Sequence, residues 1–156
     1  MENKEAVGKA LGKVASGLHV VTSKKDGNPI GFTASFLGQV SFDPPIVSVA
    51  MKKGRASFDG VMESKAFVVN IMTKETMKLV GAFANPKIEN PFENVLCEEK
   101  TLGLPVLMDS LAYLECKVHS TVEVGDHTIV FGEIVNGELL REGDPATHVR
   151  KNGFSY

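Results

Sequence analysis

The sequence predicts a mainly β protein, a small barrel with short helices on its periphery. Three observations carry that expectation. Short runs rich in β-branched and aromatic residues recur along the chain, each closed by Gly, Pro, Asn or Asp. Helical patterning is confined to brief stretches. No repeat, linker or low-complexity segment divides the 156 residues, a length that suits one core, so a single domain over 1–156 is expected.

The elements follow in order. Residues 3–15 place Ala6, Val7, Ala10, Leu11 and Val14 at helical spacing with lysines between them, and Gly17 ends that helix. Residues 18–23 read as a strand, and Lys25-Asp26-Gly27-Asn28 is a hairpin turn that returns the chain through 29–36. A third strand near 38–42 stops at Asp43-Pro44-Pro45, because proline cannot donate to a ladder. Residues 46–51 are almost continuously apolar, as suits a strand buried on both faces. The basic elbow Lys52-Lys53-Gly54-Arg55-Ala56-Ser57 leads into a helix over about 57–63, and 66–71 is another buried strand. Residues 74–84 return to helical spacing through Met77, Val80 and Phe83. Residues 85–103, with two Asn-Pro steps, read as an irregular surface excursion. Residues 110–124 and 127–136 form a hairpin joined at Gly125-Asp126, and Asn136-Gly137 reads as a final turn before the tail.

Composition excludes several function classes. A net charge of −2 supplies no clustered positive surface for nucleic acid. The lysine-interrupted N-terminus lacks the apolar core of a signal peptide, and no stretch approaches the ~18 apolar residues of a spanning helix. No membrane association and a cytoplasmic location are therefore expected. Cys97 and Cys116 are too far apart for a redox pair and too few for a zinc cluster, so they are expected as reduced thiols. The histidines show no metal-ligand spacing, and no metal is expected.

Four segments carry residues suited to chemistry. Gly31-Phe32-Thr33-Ala34-Ser35-Phe36, with Ser41, puts small residues and hydroxyls into strands that would otherwise be bulky. Such a surface lets a flat ligand lie against backbone polar groups, or lets another element pack closely. The elbow 52–57 joins cations and a hydroxyl to a helix start, where unpaired amides and the dipole favour a phosphate, without the spacing of a P-loop; it also suits a solvated loop. His127, beside Gly125-Asp126 at a hairpin tip, either titrates near neutrality in a site or is a surface residue. Phe83, closing a helix, either stacks on a ring system or caps the core.

Taken in series, these segments resemble the flavin reductase-like family of FMN-binding split barrels. The resemblance runs through residues 17–23, the Thr33-Ala34-Ser35-Phe36 strand, Val40-Ser41-Phe42-Asp43-Pro44-Pro45-Ile46-Val47, the block 67–71, Phe83-Ala84, Gly103-Leu104-Pro105-Val106-Leu107, 114–118, and Gly125-Asp126-His127-Thr128-Ile129-Val130-Phe131-Gly132-Glu133. It implies a split barrel that binds FMN, with FAD as the alternative. The ring would lie along Phe32, Thr33, Ala34, Ser35, Phe36 and Ser41, and the phosphate at the elbow among Met51, Lys52, Lys53, Arg55 and Ser57. Phe83 and Ala84 would adjoin the flavin, and His127 would be the catalytic residue on the nicotinamide side. The phosphate loop departs from the family's usual Asn-x-x-Ser-x-Thr pattern, so that only the hydroxyl of Ser57 carries over, with Arg55 and one lysine expected to compensate. The implied activity is hydride transfer from NAD(P)H to flavin in a homodimer, with electrons passed to an acceptor or a redox partner protein. The alternative is a flavoredoxin-like electron carrier without efficient NAD(P)H turnover. Lacking paired CxxC motifs, the chain carries no rubredoxin unit, so an iron-centred partner would be a separate protein.

Overall fold

A computed structural model describes residues 1–155. The chain opens with α1 (Lys4–Leu11), β1 (Ser16–Gly17), β2 (His19–Lys25), β3 (Asn28–Ala34), β4 (Leu37–Phe42) and β5 (Pro45–Lys52). It continues through α2 (Ala56–Ser64), β6 (Ala66–Ile71), α3 (Met77–Ala84), β7 (Cys97–Glu99) and β8 (Pro105–Leu107). It closes with β9 (Ala112–Val124), β10 (His127–Leu139) and β11 (Thr147–His148). The protein is mainly β, with three short helices outside the main sheet.

The main sheet is antiparallel, in the order β3-β2-β6-β9-β10-β5-β4. Strands β3 and β4 are consecutive, with only Ser35 and Phe36 between them, yet they occupy opposite edges. A flat sheet of that width would separate its edges by about 29 Å, whereas the step from Ala34 to Leu37 reaches at most about 11 Å. The sheet must therefore curl until its edges meet. The Ala50 amide donates to the Phe36 carbonyl at 2.9 Å and fixes that corner.

The barrel interior holds Val21, Val47, Val49, Met51, Phe67, Val69, Cys116 and Val130. Burial, and the neighbouring Glu115 carboxylate, push the Cys116 thiol up to about 12, so it acts as a packing residue rather than a nucleophile. A second cluster under α3 joins Leu18, Val20, Met72, Val80, Phe83 and Leu107. Strand β2 thus feeds Val21 to one cluster and Val20 to the other, as the two-residue period of a strand requires. Among the described residues, no helix is long and apolar enough to cross a membrane.

Several boundaries differ from the sequence reading. The expected turn at Asn136-Gly137 lies inside β10, where the register against β9 shifts between Ile134 and Asn136. That irregularity has a physical cause in the fully buried Glu115. Its carboxylate accepts hydrogen bonds from the amides of Thr101 (3.1 Å) and Leu102 (2.7 Å) and from Asn136 Nδ2 (2.7 Å). Asn136 is spent satisfying a buried carboxylate, not turning the chain. Pro45 opens β5 instead of preceding it, a position where its missing N–H costs no ladder bond. The excursion 85–103 contains the short strand β7, which pairs with β8. Helix α1 stops at Leu11, and α3 starts only at Met77. Residues 25–28 form the expected tight turn, with Asp26 at φ 50° and Gly27 at φ 76°.

Candidate functional site

The corner that closes the barrel also opens a cavity of about 310 Å³. One wall is the end of β3 and the corner itself: Phe32, Thr33, Ala34, Ser35 and Phe36. The second wall is the end of β5 with the start of α2: Ala50, Met51, Lys52, Arg55 and Ser57. Helix α3 supplies the third through Met77, Val80, Phe83 and Ala84, and Leu18 and His148 complete the lining.

Helix α3 is held against β3 by a directed bond. The Thr33 hydroxyl donates to the Val80 carbonyl at 2.6 Å. The helix begins at a closed turn, in which Thr76 Oγ1 donates to the Thr73 carbonyl and accepts from the Thr73 amide, each at 3.0 Å. Gly31 permits the close approach. A Cβ there would stand 2.8 Å from the Phe83 ring and 3.3 Å from that of Phe92.

Polarity is segregated within the cavity. The β3 and α3 walls are small or apolar, whereas Lys52, Arg55 and Ser57 all belong to the wall formed by β5 and the start of α2. The first amides of α2 lie there, outside the reach of any intrahelical carbonyl and at the positive end of the helix dipole. The acid in that first turn, Asp59, is engaged elsewhere by Lys25 at 3.4 Å. This wall suits a phosphate, and the other two suit a flat ring.

Most of the residues singled out from the sequence thus meet at one place: Phe32, Thr33, Ala34, Ser35, Phe36, Met51, Lys52, Arg55, Ser57, Phe83 and Ala84. Three do not line it. Ser41 lies on the edge strand β4. Lys53 turns away, its ammonium 3.0 Å from Glu123 on β9. His127 stands at the rim, its ring centroid 6.0 Å from that of Phe36. Its Nδ1 lies 2.7 Å from Asp126 Oδ1, and that hydrogen bond is the leading cause holding the Asp126 carboxyl below its usual value. Sequence reasoning missed Leu18, Ala50, Met77, Val80 and His148. Strand alternation from Lys52 points to Ala50, and the three-residue helical step from Phe83 through Val80 to Met77 points to the α3 wall. Nothing local marks His148, which reaches the cavity because β11 pairs with β1.

Comparison with known proteins gives this geometry a family. The profile of the flavin reductase like domain matches residues 11–154. The chain belongs to that family. It is 36% identical over 154 residues to a putative diflavin flavoprotein A 6 of Nostoc, covering 96% of this chain and 27% of that protein. The chain thus spans only about a quarter of the length of the diflavin flavoproteins it matches. Among solved structures, nitrilotriacetate monooxygenase component B from Mycobacterium thermoresistibile superposes with a TM-score of 0.87 at 28% identity, over 92% of this chain and 80% of that one. Flavin reductase HpaC, solved in complex with NADP+, gives a TM-score of 0.82 at 31% identity, over 91% and 90% of the two chains.

One titratable group backs the cavity wall. His19, buried behind Ala34, has its Nδ1 3.3 Å from the Ala34 carbonyl. Burial pushes its imidazole below its ordinary value, and the Ala34 contact opposes this in part. The unfolded chain therefore binds more protons below about pH 6.5, so stability present above that pH is lost as pH falls toward the lower folded-state value. Lowering pH from about 7.5 to 5.5 should depress the Tm more steeply in the wild type than in His19→Asn. Parallel slopes would assign the acid sensitivity to other groups.

Proposed function

We propose that the cavity holds a flavin, FMN in this reading, and that the protein passes electrons from NAD(P)H through it to an acceptor. The observation that carries this reading is the segregation of one cavity into a flat, small-residue wall and a cationic helix start. A bound flavin supplies the redox chemistry; the chain's own residues bind, orient and exclude water. Ala34 and Ser35 leave room for a ring edge against main-chain polar groups. Thr33 has its proton committed to Val80, so its oxygen serves only as an acceptor toward a ligand. Arg55, Lys52 and Ser57 meet a phosphate, and of the two candidate lysines it is Lys52 that faces the cavity. Phe83 backs the ring, and His127, with Phe36, faces the nicotinamide at the rim. Ser41 and Lys53 have no part in this reading.

A second reading rests on the diflavin flavoproteins, in which a region matching this chain makes up about a quarter of a longer protein. On that reading the flavin exchanges electrons chiefly with a protein. Anaerobic addition of NADH, then NADPH, to flavin-loaded protein separates the two: rapid loss of the yellow absorbance is the expected outcome. Bleaching only by a reduced partner protein would favour the carrier.

The phosphate assignment makes its own claim. Arg55→Ala and Lys52→Ala should each weaken FMN binding by about tenfold at low ionic strength, less at high salt, and leave riboflavin binding unchanged. Lys53→Ala should leave all three unaltered. Equal losses for FMN and riboflavin would move the phosphate elsewhere.

The cavity opens beside a sheet face that this chain leaves uncovered. Register puts Ala50, Ile129 and Val122 in one row and Lys52, His127 and Val124 in the next, and both valines are about half exposed. An apolar surface adjoining a site is the kind that a second copy covers. A homodimer is expected by sedimentation, and Val122→Asp with Ile129→Asp should release monomers. A monomeric wild type would overturn this assembly.

A further inference from the structure

The C-terminal tail reaches the cavity mouth with a cation that has no place in the flavin walls. Strand β11 brings His148 to the lining, and two residues later the Arg150 guanidinium lies 4.9 Å from the Phe36 ring centroid. Resting on the reading of the cavity as a flavin site reduced by NAD(P)H, we infer that Arg150 binds the diphosphate of the nicotinamide donor and so anchors that donor at the mouth.

Arg150 is placed before any ligand arrives. Its amide donates to the Gly12 carbonyl and its Nη1 to the Gly153 carbonyl, each at 3.0 Å, and the residue is half-buried. Gly12 makes the approach possible, since a Cβ there would stand 2.6 Å from the Arg150 carbonyl oxygen. A side chain held this way has less freedom to lose on binding. Its charge is also not neutralised. Of the three arginines in the sequence, Arg55 lines the cavity and Arg141 pairs with Asp109 at 3.7 Å. Arg150 makes no ion pair among the described residues. The acid of the nearby hairpin tip, Asp126, is hydrogen-bonded to His127 instead. The contact with Phe36 attracts the cation without needing an acceptor oxygen, and Gly153 takes one N–H of the guanidinium fork, so donors remain for a phosphate. The diphosphate follows from position. In the donor it is one ribose away from the nicotinamide. A nicotinamide facing His127 and Phe36 therefore brings it within reach of a guanidinium that touches the same ring.

Anaerobic stopped-flow reduction of the flavin-loaded protein tests the assignment with NADH, NADPH and 1-benzyl-1,4-dihydronicotinamide, which carries the same ring and no phosphate. Arg150→Gln should raise the half-saturating concentration of NADH and of NADPH alike by about tenfold, with the limiting rate largely kept. Arg150→Lys should recover part of the loss, and added salt should weaken NADH binding more in the wild type than in Arg150→Gln. Reduction by the phosphate-free donor should change by less than about twofold, which loss of a merely structural support for Phe36 would not allow. Lys151→Gln, an exposed neighbour on the same tail, should behave as the wild type. Three results would overturn the inference: unchanged NADH saturation in Arg150→Gln, a loss confined to NADPH, or equal slowing with the phosphate-free donor. The second would give Arg150 to the adenosine 2′-phosphate, and the third would make it a prop for Phe36. A wild type that binds no flavin, or is bleached by neither NADH nor NADPH, would overturn the reading on which the inference rests; that failure shows in the wild type and is distinct from failure in the variants.

Discussion

Ser35 and Phe36 join two strands that the hydrogen-bond order places at opposite edges of a seven-stranded sheet. Because two residues cannot cross that width, curling is compulsory, and the site follows from it. The corner cannot itself continue a ladder, since the chain leaves one edge there and enters the other. Backbone and small side chains are left facing inward at the seam, and the cavity opens there. The cavity is thus the residue of the closure, not an addition to a finished barrel.

A seam is useful only if something holds its width. The Thr33–Val80 bond ties α3 to the β3 side, and Gly31 allows Phe83 and Phe92 to approach. On the other side, the Ala50–Phe36 bond ties the corner to β5. Neither tie depends on the charged wall at Lys52, Arg55 and Ser57. Wall spacing and electrostatics are therefore set by separate groups. Changing the charge alters what binds there without collapsing the wall, whereas a bulkier residue at 31 forces both rings to move.

What was legible in the sequence was what local patterning controls. The strands of the main sheet, the Asp26-Gly27 turn and the contiguous wall from Phe32 to Phe36 all declare themselves through alternation or turn chemistry. Several of the failures share one feature: each needed a partner on another segment of the chain. Asn136-Gly137 has the composition of a turn, but Asn136 is claimed by Glu115 on the neighbouring strand. Strands β1, β7, β8 and β11 are two or three residues long and exist only through their pairing. Lys52 and Lys53 are indistinguishable by type. Strand alternation separates them only once β5 is known to continue through Lys52, which sends Lys53 toward Glu123. His148 had no local mark at all.

That last residue shows how the mouth of the cavity is built. Residues 146–153 run back along the N-terminal segment: Arg150 donates its amide to the Gly12 carbonyl at 3.0 Å, and Gly153 donates to Gly8 at 2.8 Å. The Arg150 guanidinium then lies 4.9 Å from the Phe36 centroid, while His127 approaches the same ring from the β9–β10 hairpin. Phe36 therefore belongs at once to the corner, the hairpin tip and the tail. A cation over an aromatic face gains attraction without needing a hydrogen-bond acceptor, so the contact tolerates small shifts of the ring. The inner walls are fixed by directed hydrogen bonds and close packing, and the rim brings together segments far apart in the chain.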